Sequence, residues 1–445
     1  MSPKRPEETP AGVPETAKQA GETESRWRWV EPAAWTERML TALEDGVKGG
    51  KWFSLIDKVV SVRVLRASFA RVKRNRGAPG VDHVTIERFE GRLEEELERL
   101  SESLRAESYR PQAIRRVWIE KPGRREKRPL GIPTVRDRVV QGALRLLLEP
   151  IFEAEFADTS FGFRPGRSGH DALRRVVEHL DSGFTWVVDA DLRRFFDTMD
   201  HGVLMTRLRE RVSDGRILSL IEAFLRQDVM EGIERWTPEA GSPQGAVLSP
   251  LLSNVFLDPL DHRLARKGFA MVRYADDFVV LCRSRAEAER ALGQVRGWVE
   301  EVGLTLHPEK TRIVDASRKG GFDFLGYHFE RGHSWPSKKS LQRFKATIRR
   351  QTKRTNGYSL EMILSLVNRR TRGWYQYFRY SPGGTFRDLD GWIRMRLRSI
   401  LRKRHHGRGR GRGRDHQRWP NAFFAERGLL SLLTAYEEAG RPSWR

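Results

Sequence analysis

Apolar residues recur at helical spacing in the first quarter of the chain. Leu93, Leu97, Leu100 and Leu104 lie three or four positions apart, and residues 35–69 carry a similar repeat. Because one helical turn takes about 3.6 residues, this spacing gathers the apolar side chains on one face. We therefore predict amphipathic helices on both sides of a loop rich in Gly and Pro.

Short apolar runs separated by helical stretches replace this pattern between residues 117 and 334. A basic loop interrupts a strand-like hairpin at 117–132, and helical spacing returns at 170–180 and 285–302. Further strands are predicted at the apolar runs 186–188, 271–273, 278–281, 312–314 and 324–327. Strands alternating with helices in this way predict a mixed α/β domain.

Helical spacing alone continues after residue 335 and predicts a separate helical domain. The apolar positions repeat as in helices, with Arg and Lys between them, at 360–367, 373–378 and 389–401.

Two segments show no such pattern. Residues 1–35 lack apolar periodicity, which predicts a disordered leader. Residues 402–418 are so rich in Gly and Arg that we expect them not to pack.

The charge balance indicates the kind of partner. The chain has 445 residues, with 82 Lys and Arg against 59 Asp and Glu, a formal net charge of +23. Such a chain repels itself unless a polyanion neutralises it, so we expect nucleic acid. We find no apolar run of about 18 residues and no signal peptide, which favours a cytoplasmic protein over a membrane-bound one. The single cysteine, Cys282, excludes an internal disulfide and a Cys-cluster zinc site.

Two groups of carboxylates stand at the ends of predicted strands. Asp276 and Asp277 lie between two apolar runs, and Asp189 and Asp191 follow another. Adjacent acids beside so much apolar surface are costly without a cation, and their hard oxygen ligands suit Mg²⁺. An isolated Asp-Asp pair is more often a solvated turn or a helix cap. The second group favours two-metal phosphoryl transfer, which needs ligands from another strand.

These carboxylates belong to a series of motifs that resembles the reverse transcriptases encoded by bacterial group II introns. In that family the palm subdomain carries Tyr-Ala-Asp-Asp and an Asp-x-x-x-Phe-Phe-Asp strand. The matching blocks follow the family's order at 128–133, 160–168, 191–197, 241–245 with 248–250, 274–277, 303–306 with 310–311, and 324–327. The resemblance covers about residues 50–440, and residues 372–378 look like the core of the maturase domain.

The resemblance implies an α+β fold of the right-hand polymerase type, with fingers, a palm built on an antiparallel sheet, and a helical thumb. The expected divisions after the leader are an N-terminal helical extension and start of the fingers at 36–115, fingers at 116–185, palm at 186–334, thumb or maturase domain at 335–400, and a basic nucleic-acid-binding region at 401–445.

The same resemblance assigns Asp191, Asp276 and Asp277 as catalytic ligands of two Mg²⁺ ions, with Mn²⁺ as a substitute. Asp189 is the alternative to Asp191. We prefer Asp191 because the family places an aromatic residue five positions after its catalytic acid, where Phe196 stands. Phe196 would exclude a ribose 2′-OH from the nucleotide site, and ordinary core packing is the alternative for this side chain.

Other residues are assigned to the nucleotide and to the nucleic acid. Lys121 and Arg128 would bind the triphosphate, with Arg125 and Lys127 as alternatives, and Gln244 would lie against the incoming nucleotide. The expected nucleic-acid contacts are Phe161, Phe163, Arg164, Arg167, Lys310, Arg369, Arg370, Arg372 and Trp374. Packing under a loop is the alternative for Phe161 and Phe163, and a solvated surface is the alternative for Lys310.

The function implied is RNA-directed DNA synthesis together with binding of intron RNA that assists splicing and mobility. The partners would be an intron RNA template, a DNA primer or target, and dNTPs. Some family members add a nuclease with His-Asn-His ligands and Cys pairs, which we do not expect because no Cys follows position 282. The alternatives are a non-catalytic RNA-binding splicing factor, and a reverse transcriptase that acts outside an intron in defence or adaptation.

Overall fold

The computed structural model describes residues 26–120, 127–411 and 413–444. Its helices are α1 Glu37–Asp45, α2 Ile56–Val59, α3 Val62–Arg74, α4 Ile86–Glu90, α5 Leu93–Arg105, α6 Val135–Glu153, α7 Gly169–Asp181, α8 Phe195–Thr198, α9 His201–Arg211, α10 Gly215–Leu225, α11 Ser249–Arg266, α12 Arg285–Glu301, α13 Lys338–Gln351, α14 Leu360–Phe378, α15 Gly383–Arg404, α16 Arg414–Arg418, α17 Asn421–Glu426 and α18 Leu432–Glu438. Within these ranges, no helix is both long and apolar enough to cross a membrane.

The strands form three sheets. They are β1 Ile114–Glu120, β2 Lys127–Ile132, β3 Trp186–Asp191, β4 Val229–Glu231, β5 Glu234–Trp236, β6 Ala270–Tyr274, β7 Asp277–Cys282, β8 Arg312–Asp315, β9 Phe322–Phe324, β10 Tyr327–Glu330 and β11 His333–Pro336. The sheet orders are β2-β1-β4-β5, β6-β7-β3-β8 and β11-β10-β9. The predicted mixture of helices and strands, followed by helices alone, is confirmed.

One compact unit comprises residues up to Val117, Leu130–Phe156 and Met199–Phe256. Its centre is the crossing of α3 and α6, where α6 is buried along nearly its whole length. Ser68 Oγ donates to the carbonyl of Val139 at 2.7 Å. A Cβ on Gly142 would lie 2.1 Å from Ser68 Oγ. The small residues therefore allow the two helices to approach closely.

The start of this unit contradicts part of the predicted leader. Trp27, Val30 and Trp35 are buried, and the indole of Trp35 donates to the carbonyl of Leu146 at 3.1 Å. The prediction of disorder is therefore wrong for residues 26–35, because these tryptophans bury enough apolar surface to offset the cost of ordering. The rest of the predicted leader, residues 1–25, lies outside the described residues.

The other compact unit comprises Trp118–Pro129, Ala157–Thr198 and the chain from Leu257. Its four-stranded sheet is antiparallel throughout, as predicted for a palm. Helix α7 adds Leu173 and Val176 to a core shared with the sheet, and α12 packs against β3, β7 and β8. Strand β7 is buried from Phe278 to Cys282, and Cys282, which stands opposite Trp186, is fully buried.

The 324–327 motif is a turn and not the strand we predicted. The chain turns at Leu325, with φ +46°, and at Gly326, with φ +84°, between β9 and β10. Beyond the turn, Tyr327 is fully buried, and its hydroxyl donates to the carbonyl of Tyr377 at 2.9 Å. In return the Tyr377 hydroxyl donates to the carbonyl of Leu325 at 2.7 Å. The motif therefore anchors α14 through reciprocal hydrogen bonds.

The Gly- and Arg-rich segment 402–418 packs against α15, contrary to our prediction. The backbone N–H of Gly411 donates to Ser399 Oγ at 3.1 Å, and a Cβ on Gly411 would lie 2.6 Å from Arg398 Cβ. Arg402 forms an ion pair with Asp415 at 2.6 Å. The segment is ordered because its glycines permit close approach to the helix and its acid neutralises a neighbouring arginine. Arg412 lies outside the described residues.

Candidate active site

The two groups of carboxylates meet at one end of the antiparallel sheet. Asp191, the last residue of β3, pairs directly with Asp277, the first residue of β7. Tyr274 and Asp277 form the last pair of the β6–β7 hairpin, so Ala275 and Asp276 make its turn. The structure thus confirms the predicted hairpin tip and the predicted approach of the two groups.

The turn is held in an unfavourable backbone conformation. Ala275 has φ +59°, a left-handed conformation that costs an L-residue about 1–2 kcal/mol. The 160–168 motif packs against this turn, because a Cβ on Gly162 would lie 2.2 Å from the backbone nitrogen of Ala275. Phe161 N also donates to Arg273 O at 2.9 Å. Ser168, at the end of the motif, caps α7 through a reciprocal capping box with Asp171.

A second motif supports Asp191. Arg193 N donates to Thr305 O at 2.8 Å, and His307 N donates to Asp191 O at 2.8 Å. Leu192 forms an antiparallel bridge with Leu306. The 303–306 motif therefore continues the sheet past the end of β3 and fixes the backbone that carries Asp191.

The site has an excess of negative charge. Burial raises the pKa of Asp276, the carboxylate of Asp191 raises it further, and Arg128 opposes the shift. Burial also raises the pKa of Asp277 to about 6, with Asp276, Asp191 and Asp189 adding to the shift and Lys310 opposing it. A cation bound among these carboxylates would relieve both the repulsion and the desolvation.

Two basic side chains already pair with the acids of β3. Lys310 Nζ lies 2.5 Å from Asp191 Oδ2, and Arg312 Nε lies 3.2 Å from Asp189 Oδ2. Burial raises the pKa of Asp189, while Arg312 lowers it. Both acids therefore carry an ion pair, so charge compensation does not separate them, whereas the strand register does, because Asp191 and not Asp189 stands opposite Asp277. Sequence reasoning missed both ion pairs and assigned Lys310 to a nucleic-acid contact.

The donor set fits magnesium bound together with substrate. Among the described residues, no group of three or more His, Cys, Asp or Glu side chains is arranged so that it could hold a metal ion by itself. Polymerase magnesium ions usually keep several waters and bind through one or two carboxylates plus substrate phosphates. Asp191, Asp276 and Asp277 would supply carboxylate oxygen atoms to such an ion, with water and substrate providing the other ligands.

The residues assigned to the nucleotide lie in different parts of the chain. Phe196 is 9 % exposed and contacts Phe195 edge-on, with ring centroids 5.2 Å apart. Arg128 is exposed on β2, and its charge acts on Asp276. In the first unit, the carbonyl of Gln244 accepts from Gly131 N at 2.7 Å. Lys121 and Arg125 lie outside the described residues.

Several residues assigned to nucleic acid are buried. Phe161 and Arg164 are each 6 % exposed, and Arg164 donates to the carbonyls of Ala157 and Ser160. Trp374 packs among Phe344, Phe378 and Phe386. Burial favours the core-packing alternative for Phe161, and Arg164 and Trp374 are also buried where nucleic-acid contacts were expected.

The remaining members of this set reach solvent. Phe163 is 42 % exposed, whereas Arg167 is partly buried in an ion pair with Asp158 at 2.7 Å. Arg369, Arg370 and Arg372 are exposed on α14. Phe163 and the three α14 arginines are thus exposed, as is Lys310 beside Asp191.

Two family profiles match the chain in succession. The family described as "Reverse transcriptase (RNA-dependent DNA polymerase)" matches residues 119–329, and "Group II intron, maturase-specific domain" matches residues 341–419. Protein YkfC of Escherichia coli strain K12 is 36% identical over 326 residues, which span 64% of this chain and 84% of YkfC.

More distant relatives share part of their length with this chain. The group II intron-encoded protein LtrA of Lactococcus lactis is 28% identical over 367 residues, and the match spans 68% of this chain and 59% of LtrA. A chain in a solved partial Cas6-RT-Cas1–Cas2 complex is 27% identical, with 56% of this chain and 41% of that chain covered and a TM-score of 0.37.

The antiparallel sheet, its facing carboxylates and the helical domain that follows define a right-hand nucleic acid polymerase. More particularly, the chain belongs to the reverse transcriptases of group II introns, in which a reverse transcriptase domain is followed by a maturase-specific domain. The resemblance inferred from the motifs, and the α+β polymerase fold it implied, are confirmed.

Proposed function

We propose that this RNA-directed DNA polymerase holds two Mg²⁺ ions, or Mn²⁺ in their place, on Asp191, Asp276 and Asp277. The pairing of Asp191 with Asp277 beside the Ala275–Asp276 turn carries the proposal, because it gathers acids from two strands at one point. Bound there, the ions would lower the pKa of the primer 3′-hydroxyl and neutralise charge on the leaving pyrophosphate.

The protein's own side chains would bind and select the nucleotide. Arg128 supplies positive charge beside Asp276, where it would meet the triphosphate, and Lys121 would assist it. Gln244 would contact the incoming nucleotide and template. Phe196 would press against the sugar and exclude the ribose 2′-OH.

Primer extension on poly(rA) with an oligo(dT) primer, dTTP and Mg²⁺ tests the activity. We expect wild type and Asp388→Asn, which changes an exposed acid on α15, to extend the primer. Asp276→Asn should lower the rate by about 10³-fold, because it removes one metal ligand at nearly constant volume. A wild-type protein that binds structured RNA tightly without extending primers would instead favour the splicing-factor alternative.

Phe196→Val is expected to raise incorporation of ribonucleotides relative to deoxyribonucleotides by roughly 10–100-fold, because a smaller side chain admits the 2′-OH. Competition between rUTP and dTTP at a single template position measures this ratio. Phe195→Val is the matched control, since Phe195 is also buried in α8 and touches Phe196. Equal ratios in the two variants would assign Phe196 to core packing.

We further propose that the exposed arginines of α14 bind intron RNA, which assists splicing and mobility. Arg369, Arg370 and Arg372 lie within four consecutive positions on one helix and carry no resolved ion pair in the described residues. These arginines are far from the carboxylate turn along the chain. Mutations could therefore weaken RNA binding without slowing nucleotide addition. A search of the DNA around the reading frame for a folded intron would distinguish this role from action outside an intron.

Replacing Arg369, Arg370 and Arg372 together by Ala should weaken binding of structured RNA by about tenfold. It should also reduce the salt dependence of the binding constant by up to about two logarithmic units per decade of salt. Filter binding between low and high salt measures both effects. The control replaces Arg285, Arg290 and Arg296, which are exposed on α12 and carry the same total charge. An equal loss in the control would mean that net charge, and not the α14 surface, binds the RNA.

A further inference from the structure

A buried ion pair lies next to the catalytic turn. The side chains of Arg273, on β6, and Asp261, on α11, are both 0 % exposed. Arg273 Nε donates to the two carboxylate oxygens of Asp261 at 2.8 and 3.0 Å, and Nη2 donates to the same carboxylate. Because such forked contacts are directional, Asp261 fixes the plane of the guanidinium.

Another nitrogen of the guanidinium reaches the turn itself. Arg273 Nη1 donates to the carbonyl oxygen of Ala275 at 3.0 Å. That carbonyl belongs to the planar peptide that joins Ala275 to Asp276, so holding it limits the orientation of both residues. The backbone of Arg273 is held from the other side, where its N donates to Thr159 O at 2.8 Å.

Stability alone is a poor reason for burying this pair. The free-energy cost of removing two charges from water offsets most of their mutual attraction. Apolar residues of similar volume therefore often give the folded protein equal or greater stability. The ion pair has a more specific role at the turn. Ala275 is in the left-handed conformation, which is unfavourable by itself and persists only where surrounding contacts hold it.

We propose that Arg273, oriented by Asp261, is a positioning residue that holds the Ala275–Asp276 peptide and thereby directs the Asp276 carboxylate toward the metal ions. This inference rests on the proposed function, which makes Asp276 a metal ligand. The contact runs through the backbone, so the arginine acts without touching the substrate.

The first test replaces both charges by apolar side chains, in Arg273→Met combined with Asp261→Leu. We expect the full-length double variant to unfold at the wild-type temperature or above. Its affinity for Mn²⁺, measured by electron paramagnetic resonance of the free ion, should fall about tenfold. Its kcat for dTTP should fall roughly 10–100-fold, with little change in the affinity for primer–template.

Arg273→Lys is the second variant and keeps the test decisive if the double variant fails to fold. Lysine retains the charge beside Asp261 but lacks the planar fork that serves Asp261 and Ala275 together. It should therefore fold and show the same weaker Mn²⁺ binding. Val295→Ala is the control, because it truncates a fully buried side chain of α12 and should lower the unfolding temperature without changing Mn²⁺ affinity.

Wild-type Mn²⁺ affinity and kcat in both Arg273 variants would overturn the proposal. It would also be overturned if Val295→Ala weakened Mn²⁺ binding as much at a similar loss of stability, since the effect would then be general. A wild-type protein that binds Mn²⁺ but extends no primer would count against the proposed function alone, because the Mn²⁺ measurement would still report on the turn.

Discussion

Asp191→Asn is expected to slow nucleotide addition by about 10³-fold, whereas Asp189→Asn should slow it by less than about tenfold. Both acids are on β3, but Asp191 stands directly opposite Asp277, and Asp189 stands opposite Val279. Each acid has a basic partner, Lys310 for Asp191 and Arg312 for Asp189, so the expected difference rests on the position opposite Asp277. Single-turnover extension with saturating Mg²⁺ separates the chemical step from nucleic-acid binding and measures both variants.

Asp323→Asn serves as the control for this comparison. Asp323 is an exposed acid on β9 whose charge acts on Asp189, and its removal should leave the rate within about twofold of wild type. Equal losses for Asp189→Asn and Asp191→Asn would show that Asp189 shares the metal role. A small loss for Asp191→Asn would remove it from the catalytic set.

Gly162→Ala is expected to lower activity by about 10²-fold and to destabilise the protein by roughly 1–3 kcal/mol. The added Cβ would lie 2.2 Å from Ala275 N and 2.8 Å from the carbonyl carbon of Tyr274. Both neighbours are backbone atoms of the β6–β7 turn, which cannot swing aside as a flexible side chain does. The methyl group must therefore displace the turn or the 160–168 loop.

Gly293→Ala is the matched control, because a Cβ at this helical position of α12 meets nothing within 4 Å. Alanine there should leave activity unchanged and raise stability by up to about 1 kcal/mol. Thermal unfolding and primer extension of the two variants measure the contrast. Wild-type activity in Gly162→Ala would show that the loop, and not the turn, gives way.

The hairpin tip and the approach of the two acid groups could be predicted from the sequence because the signals are local. Apolar runs on both sides of Asp276 and Asp277 define two strands, and the adjacent acids mark their turn. The motif order then identified the family, and with it the antiparallel sheet. The strand pairing of Asp191 with Asp277 follows from that architecture.

The ion pairs that complete the site could not be predicted, because they join distant positions. Lys310 and Asp191 are 119 positions apart, and no local spacing connects them. Arg273 did carry a signal, since a basic residue within an apolar strand needs a buried partner, but the sequence does not say which acid supplies it. Asp261 lies on α11, outside every motif block.

Aromatic residues near arginines were the other source of error. Phe161, Phe163 and Trp374 share this composition, yet Phe163 is exposed and the other two are buried. The same mixture suits a stacking surface and a core edge covered by long basic side chains, so composition cannot separate them. Segment 402–418 was misjudged for a related reason, because glycine favours close packing as well as disorder.

The buried end of β7 has a practical consequence for fluorescence experiments. Burial raises the pKa of the Cys282 thiol to about 12, so almost none of it is the reactive thiolate near neutral pH. No other cysteine occurs in the sequence. A cysteine introduced at an exposed position such as Gln376 would therefore be the site that a maleimide dye labels. Motions of the helical domain during copying could then be followed by energy transfer to a labelled primer, with the native thiol left in place.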